Sequence, residues 1–169
     1  MKKRLQITLL AALGVAIGYQ AYIFLKPEKP GKPTIPDMPV TLLDGISTTI
    51  AKIGSNRNTV VFLMRSNCAY CKEETQQVRA HIDQFNDTEV VFVSFEDIDV
   101  IKNYKHEMLP EERPYINFVK ASQKEVEPFL EYGLVFPYML WYDENGIQKA
   151  QHRGVFPVSR IIEVIKETS

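Results

Sequence analysis

The chain contains two cysteines, Cys68 and Cys71, which stand three positions apart in "SNCAYCKEE". Two thiols at this spacing can close a disulfide and can pass it to another protein. If Cys68 opens a helix, free backbone N–H groups and the positive end of the helix dipole stabilise its thiolate and lower the pKa of the thiol. Cys71, one turn further on, receives less of this stabilisation. The spacing therefore predicts that Cys68 attacks a partner sulfur and that Cys71 resolves the mixed disulfide.

Two other interpretations of the cysteine pair are weaker. A zinc site would need two further ligands, and the three histidines, at positions 81, 106 and 152, are scattered without ligand spacing. A purely structural disulfide would close a loop of a few residues and would add little stability. We therefore predict redox chemistry through a reversible Cys68–Cys71 disulfide, with no bound metal.

The cysteine pair follows an apolar strand and begins a helix. "NTVVFLMRS" is rich in β-branched and apolar residues, which predicts a buried strand over 59–64. After Cys68, apolar residues recur at spacings of three and four as far as about Asn86, which predicts a helix. Its inward face comprises Cys71, Glu74 or Thr75, Val78, Ile82 and Phe85. This strand–C-x-x-C–helix context favours a redox motif.

From about residue 41 onward, the sequence alternates predicted strands with predicted helices, which indicates parallel strand pairing. A last hairpin adds an antiparallel half to the sheet. The expected fold is therefore a three-layer α/β/α sandwich with a mixed sheet. We predict a hairpin around Asp44-Gly45, a strand over 89–95, a helix from Asp97 or Asp99 to about Met108, a short strand within 113–121, a short or kinked helix from Ser122 to about Tyr132, a hairpin over 137–154 and a final helix with Pro157 as its first residue.

The first 40 residues differ from the rest in composition. Residues 5–25 carry no charge and, as a helix, would match a hydrocarbon core of about 30 Å. We predict that residues 1–25 form an uncleaved signal anchor in a lipid bilayer; a signal peptide cleaved near Ala16-Ile17-Gly18 is the alternative. Prolines at every third position from 27 to 39 predict an extended spacer over 26–40, followed by one domain over 41–169.

Charge distribution suggests a location for the domain. The basic head Lys2-Lys3-Arg4 has the form of an export signal, which places the domain on the extracytoplasmic side of the cytoplasmic membrane. Three lysines on the far side of the apolar segment leave a positive-inside bias of only about one charge. Disulfide traffic is typical of that side of the membrane. The formal net charge of −1 offers no basic surplus for nucleic acid.

The domain over 41–169 resembles the thioredoxin superfamily, and most of all the membrane-anchored TlpA/ResA-type thiol–disulfide oxidoreductases of bacteria. "LLDGISTTI" is similar to the family's N-terminal hairpin, and "VVFLMRSNCAYCKEE" to its strand, C-x-x-C motif and helix. "GLVFPYMLWYDENG" resembles the segment with the cis-proline, and "IQKAQHRGVFPVSRIIEVI" the closing strand and helix. Asn67 and Tyr70 depart from the family, which usually has tryptophan before the first cysteine and often has proline before the second.

The resemblance implies roles for residues outside the cysteine pair. Pro137 would be a cis-proline beside the sulfurs and, with Phe136 and Tyr70, would form the surface that binds a client chain. Glu74 corresponds to a glutamate that tunes the thiols and moves protons in ResA-like proteins. Because Glu74 shares a helix face with Val78, partial burial would raise its pKa.

The sequence therefore predicts a thiol–disulfide oxidoreductase that exchanges disulfides with a client protein and with an upstream donor or acceptor protein. No organic cofactor is implied. Reduction of the client is favoured by analogy with the family, since the residues themselves favour neither direction. Two alternatives remain open: a non-catalytic binding module that uses the Phe136-Pro137 groove, and a copper carrier with Cys68, Cys71 and a nearby histidine as ligands.

Overall fold

The computed structural model describes residues 34–167, which form seven strands and five α-helices. The strands are β1 (Pro39–Leu42), β2 (Ser47–Thr49), β3 (Asn58–Leu63), β4 (Thr88–Ser94), β5 (Ile116–Lys120), β6 (Tyr138–Tyr142) and β7 (Gln148–Arg153). The helices are α1 (Ile50–Ile53), α2 (Ala69–Ala80), α3 (Ile98–Met108), α4 (Gln123–Val126) and α5 (Val158–Glu167). Two 3₁₀ turns, Ile82–Phe85 and Glu127–Phe129, follow α2 and α4.

The seven strands form one mixed sheet in the order β2-β1-β5-β4-β3-β6-β7. β3, β4 and β5 are parallel neighbours, and the remaining pairs are antiparallel. All residues of β3 and β4 are buried, as expected for central strands covered on both faces. The parallel pairing brings the C-terminal ends of β3 and β4 to one edge, and the loop with Cys68 leaves the sheet there.

Helices cover both faces of the sheet, so the predicted three-layer α/β/α sandwich with a mixed sheet is confirmed. On one face, Phe62, Phe92 and Phe118 stack in a row, with ring centroids 5.3 and 4.6 Å apart. That face packs against α2, α3 and α5, which contribute Val78, Ile101, Ile161, Ile162 and Ile165. On the other face, Val61 and Val91 lie in a second core with Ile50 and Val126 from α1 and α4.

Two predicted helices are shorter in the structure. The helix expected to reach Asn86 ends at Ala80, and His81 donates its backbone N–H to Val78 in a tighter i→i+3 turn. Ile82 and Phe85 stay buried because residues three apart share one face of a 3₁₀ turn. The helix expected to reach Tyr132 ends at Val126, since Pro128 lacks an N–H and its ring clashes with the preceding turn.

Two further boundaries differ from expectation. α1 follows β2 directly because the Thr49 side chain accepts the Lys52 N–H at 3.3 Å and so begins a helical turn. Pro157 precedes the last helix, and its carbonyl accepts the N–H groups of Arg160 and Ile161.

The N-terminal predictions fall mostly outside the described part. The expected anchor, residues 1–25, and the spacer up to residue 33 lie outside the described residues. Within 34–167, every helix is too short or too polar to cross a bilayer. The described end of the spacer contacts the domain: Thr34 bridges Ile147, and the Ile35 N–H donates to Gly146 at 2.6 Å.

Candidate active site

Cys68 occupies the N-cap position of α2, as the sequence predicted. Its backbone is extended, and its Sγ accepts the backbone N–H of Cys71 at 3.2 Å. The side chain is half-buried, so solvent reaches this sulfur. A sulfur in this position lies at the positive end of the helix dipole, among N–H groups that lack a partner within the helix.

Cys71 is bonded to Cys68 in a disulfide, with Cα atoms 5.2 Å apart, and it is buried with 1% of its surface exposed. The two cysteines therefore differ in exposure, and of the two only Cys68 is open to solvent. Behind Cys71, Thr75 donates its hydroxyl to the Cys71 carbonyl at 2.9 Å, and the Tyr104 hydroxyl lies 2.8 Å from the same Thr75 oxygen. Because Thr75 uses its one proton on Cys71, Tyr104 is the donor of the second bond. This chain of bonds ties α3 to the turn of α2 with the buried sulfur.

The loop between β3 and Cys68 is fastened to the end of β4 by a carboxylate. Glu96 accepts the Ser66 N–H at 2.8 Å and the Ser66 hydroxyl at 2.7 Å through different oxygens, and it also accepts the Ser94 hydroxyl at 3.0 Å. Burial raises the pKa of Glu96, but the hydrogen bonds from Ser66 and Ser94 outweigh burial and hold the pKa below its ordinary value. Glu96 is therefore ionised at neutral pH and fixes the loop that leads into the helix.

The predicted cis peptide between Phe136 and Pro137 is present. The pairing of Leu63 with Tyr138 places Pro137 at the edge of the sheet from which the Cys68 loop leaves. Phe136 packs against the same apolar core as Cys71 and meets the Phe95 ring edge-on at a centroid distance of 5.9 Å.

Glu74 is buried with 2% of its surface exposed, on the same helix face as Cys71. Burial raises its pKa from 4.5 to about 8, and the Phe156 N–H, which donates to its Oε1 at 3.4 Å, offsets this only in part. The burial of Glu74 expected from the helix pattern is present in the structure. A carboxyl group with a pKa near neutrality can both give and take a proton.

An exposed side chain and a groove lie close to Cys68 along the chain. Tyr70, which the sequence assigned to client binding, is 64% exposed in the first turn of α2. Beside Ser66 and Asn67, a groove of about 300 Å³ runs along α3. Val100, Asn103, Tyr104 and Glu107 form its wall, and they recur at spacings of three and four on one face of that helix.

The described residues bring Cys68, Cys71 and Glu74 together on α2 and place Phe136 and Pro137 at the same edge of the sheet. They do not bring a histidine into this group: within 34–167, no cluster of three or more His, Cys, Asp or Glu side chains could hold a metal ion.

The sequence analysis gave Ser66, Glu96 and Tyr104 no role in the site, and it named Thr75 only as an alternative to Glu74 on the inward face of the helix. A signal existed for two of these residues, since Thr75 lies one helical turn after Cys71 and Glu96 directly follows the strand predicted over 89–95.

Comparison with known structures establishes the fold. The alignment with the structure of MTB dsbF covers 82% of this chain and 99% of the dsbF chain, with a TM-score of 0.67 and 13% identity. A thiol:disulfide interchange protein of the thioredoxin family from Chlorobium tepidum covers 82% and 97%, with a TM-score of 0.67 and 14% identity. The copper-bound ScoI of Arabidopsis thaliana covers 80% and 98%, with a TM-score of 0.61 and 16% identity. At these identities the likeness establishes a thioredoxin-like fold, in which the Cys68–Cys71 disulfide lies at the start of α2.

Sequence comparison then names the family. The AhpC/TSA family matches residues 32–164, and the chain belongs to this family. The search for similar curated proteins found no significant sequence match to this chain.

Proposed function

We propose that this protein is a membrane-anchored, extracytoplasmic oxidoreductase that reduces disulfides of a client protein and is itself reduced by an upstream dithiol protein. One observation carries the proposal: an accessible sulfur at the N-terminus of α2 forms a disulfide with a buried sulfur one turn along. The uncharged segment 5–25 and its basic head support the anchor and the location.

In the reduced protein, the Cys68 thiolate attacks one sulfur of the client disulfide, and the other client sulfur leaves as a thiolate that takes up a proton. The resulting mixed disulfide joins Cys68 to the client. Cys71 then loses its proton and attacks the Cys68 sulfur, which releases the second client sulfur as a thiolate that is protonated in turn. The client gains two electrons and two protons, and the protein keeps the Cys68–Cys71 disulfide until a donor dithiol reduces it by the same steps in reverse.

Glu74 would accept the proton of the buried Cys71 thiol and return it in the reverse reaction. Cys71 has little contact with water, so its proton needs an acceptor inside the protein when it becomes a nucleophile. Glu74 lies three residues further on the same buried helix face, and its pKa of about 8 suits transfer in either direction near neutral pH. Phe136, Pro137 and Tyr70 would bind the client chain beside Cys68.

The two alternative functions have less support. A copper carrier would need a third ligand, and the described part of the chain brings no histidine to the cysteines. A non-catalytic binding module would not need a half-buried sulfur at a helix N-terminus beside a buried carboxyl group with a raised pKa.

Reduction of insulin by the full chain in detergent, with dithiothreitol as electron source, tests the proposed function. We expect the chain to accelerate insulin precipitation well above the dithiothreitol background, because Cys68 is accessible and the N-terminus of a helix favours its thiolate. Metal content is measured on the same preparation after growth with copper. Absence of turnover with insulin or with any other disulfide at neutral pH contradicts an enzymatic role, and one tightly bound copper per chain supports the carrier instead.

A further inference from the structure

Arg65 places a positive charge at the mouth of the candidate active site. Its carbonyl accepts the Cys68 N–H at 3.2 Å, so it lies one turn before the accessible sulfur. Its side chain is exposed, and the guanidinium carbon lies 4.7 Å from the centre of the Phe136 ring. Arg65 therefore connects the loop before the disulfide with the residue that precedes Pro137.

The position of Arg65 is fixed from two sides. The neighbouring residue, Ser66, is held by two hydrogen bonds to Glu96, which fix the backbone of the loop. The face of Phe136 attracts the guanidinium by a cation–π interaction, and Phe95 supports Phe136 edge-on. A side chain already fixed in this way loses little further entropy when it binds a partner.

The hydrogen-bond donors of Arg65 remain open to a ligand. A guanidinium carries five N–H donors in a planar fork that fits a carboxylate, and stacking on an aromatic ring leaves this fork available. Among the side chains that the structure describes, no carboxylate lies within ion-pair distance of it. Glu96 lowers the local positive potential, but its oxygens accept the donors of Ser66 and Ser94.

We propose that Arg65 determines client specificity by binding a carboxylate of the client, from an Asp or Glu close in sequence to the client cysteine. This inference rests on the proposed disulfide exchange, since the carboxylate is recognised while the client sulfur lies at Cys68. Two other roles for Arg65, support of Phe136 and stabilisation of the Cys68 thiolate, would affect all clients alike. Dependence on the charge of the client is therefore the property that separates specificity from a structural role.

The experiment uses two series of peptides. In each series, one position near the central residue at a time carries Asp, Asn or Lys. Peptides with a central serine are used to measure binding to the oxidised full chain by NMR titration at low salt, and peptides with a central cysteine in a disulfide are used to measure kcat/KM for reduction. For the best position, we expect the Asp peptide to bind about threefold more tightly than the Asn peptide, and the Lys peptide more weakly than either. The same order is expected in kcat/KM, and 1 M salt should remove the difference.

In the Arg65→Gln variant, the affinity for the Asp peptide divided by the affinity for the Asn peptide should fall to about one, whereas Arg65→Lys should keep part of the preference for the Asp peptide. Lys72→Gln is the matched control, because Lys72 is a half-exposed cation nearby on α2 that pairs with Glu107 at 3.4 Å, and the ratio should persist in that variant. A wild-type binding ratio of one, or a ratio unchanged by Arg65→Gln, overturns the inference. A charge preference in binding that depends on Arg65, without turnover of any peptide, supports the carboxylate site and contradicts the proposed function instead.

Discussion

Replacing Cys71 with serine is expected to trap client proteins covalently on Cys68, while replacing Cys68 with serine should trap none. The exposed Cys68 sulfur still attacks in the Cys71→Ser chain, but no second thiol is present to release the client. In the Cys68→Ser chain the remaining thiol is 1% exposed and cannot reach a protein disulfide. Either substitution should reduce insulin turnover at least about a thousandfold, since the two sulfurs act as a unit.

The measurement is expression of both variants in the native membrane, followed by non-reducing electrophoresis and mass spectrometry of any adduct. Ala69→Ser, a substitution between the cysteines that keeps both thiols, is the control and should give no stable adduct. Equal adducts with both variants, or adducts with Cys68→Ser alone, would contradict the assignment of attacking and resolving roles.

The free energy of unfolding is expected to be higher in the Glu74→Gln variant than in the wild type at alkaline pH, because the variant has no buried carboxyl group to ionise. The folded protein holds the Glu74 proton up to a pKa of about 8, whereas the unfolded chain releases it near the ordinary value of 4.5. Between these values the unfolded state binds fewer protons, so the contribution of Glu74 to stability is largest below about pH 4.5, falls as the pH rises and is lost above about pH 8. The shift corresponds to a free energy of unfolding lower by on the order of 4–5 kcal/mol.

Urea unfolding of the oxidised full chain at pH 5, 7 and 9 measures this effect. Glutamine has the shape of the neutral carboxyl group, so the stability of the variant should lie within about 1 kcal/mol of the wild type at pH 5 and exceed it most at pH 9. Glu73→Gln, at the neighbouring exposed position, is the matched control and should follow the wild type at every pH. Parallel curves for the wild type and Glu74→Gln would show that Glu74 is not the buried proton-binding group described above.

Local features of the site were predictable from sequence. An apolar strand, a C-x-x-C motif and a helical face within about 30 residues sufficed to place Cys68 at an N-cap, Cys71 inside and Glu74 on a buried face, because each depends on chain neighbours alone. The Phe136-Pro137 cis bond was expected only from the resemblance to a family.

The long-range contacts were not predictable from the same reasoning. Ser66 and Glu96 are 30 positions apart, and Glu74 and Phe156 are 82 apart, so their hydrogen bonds depend on the order of strands in the sheet. The sequence predicted a mixed sheet but did not order its strands. It therefore could not show that the end of β4 lies beside the Cys68 loop, or that Arg65 meets Phe136.

Titration of the Cys68 thiol tests the central claim most directly. The rate of alkylation by iodoacetamide is measured against pH on the reduced Cys71→Ser full chain, folded and in denaturant. If backbone N–H groups and the dipole of α2 stabilise the thiolate, the folded chain should show a pKa clearly below the ordinary thiol value of about 8.5 and lower than the pKa in denaturant. Coincident curves for the folded and unfolded chains, or a folded chain that does not react, would contradict a role for Cys68 as the attacking thiolate.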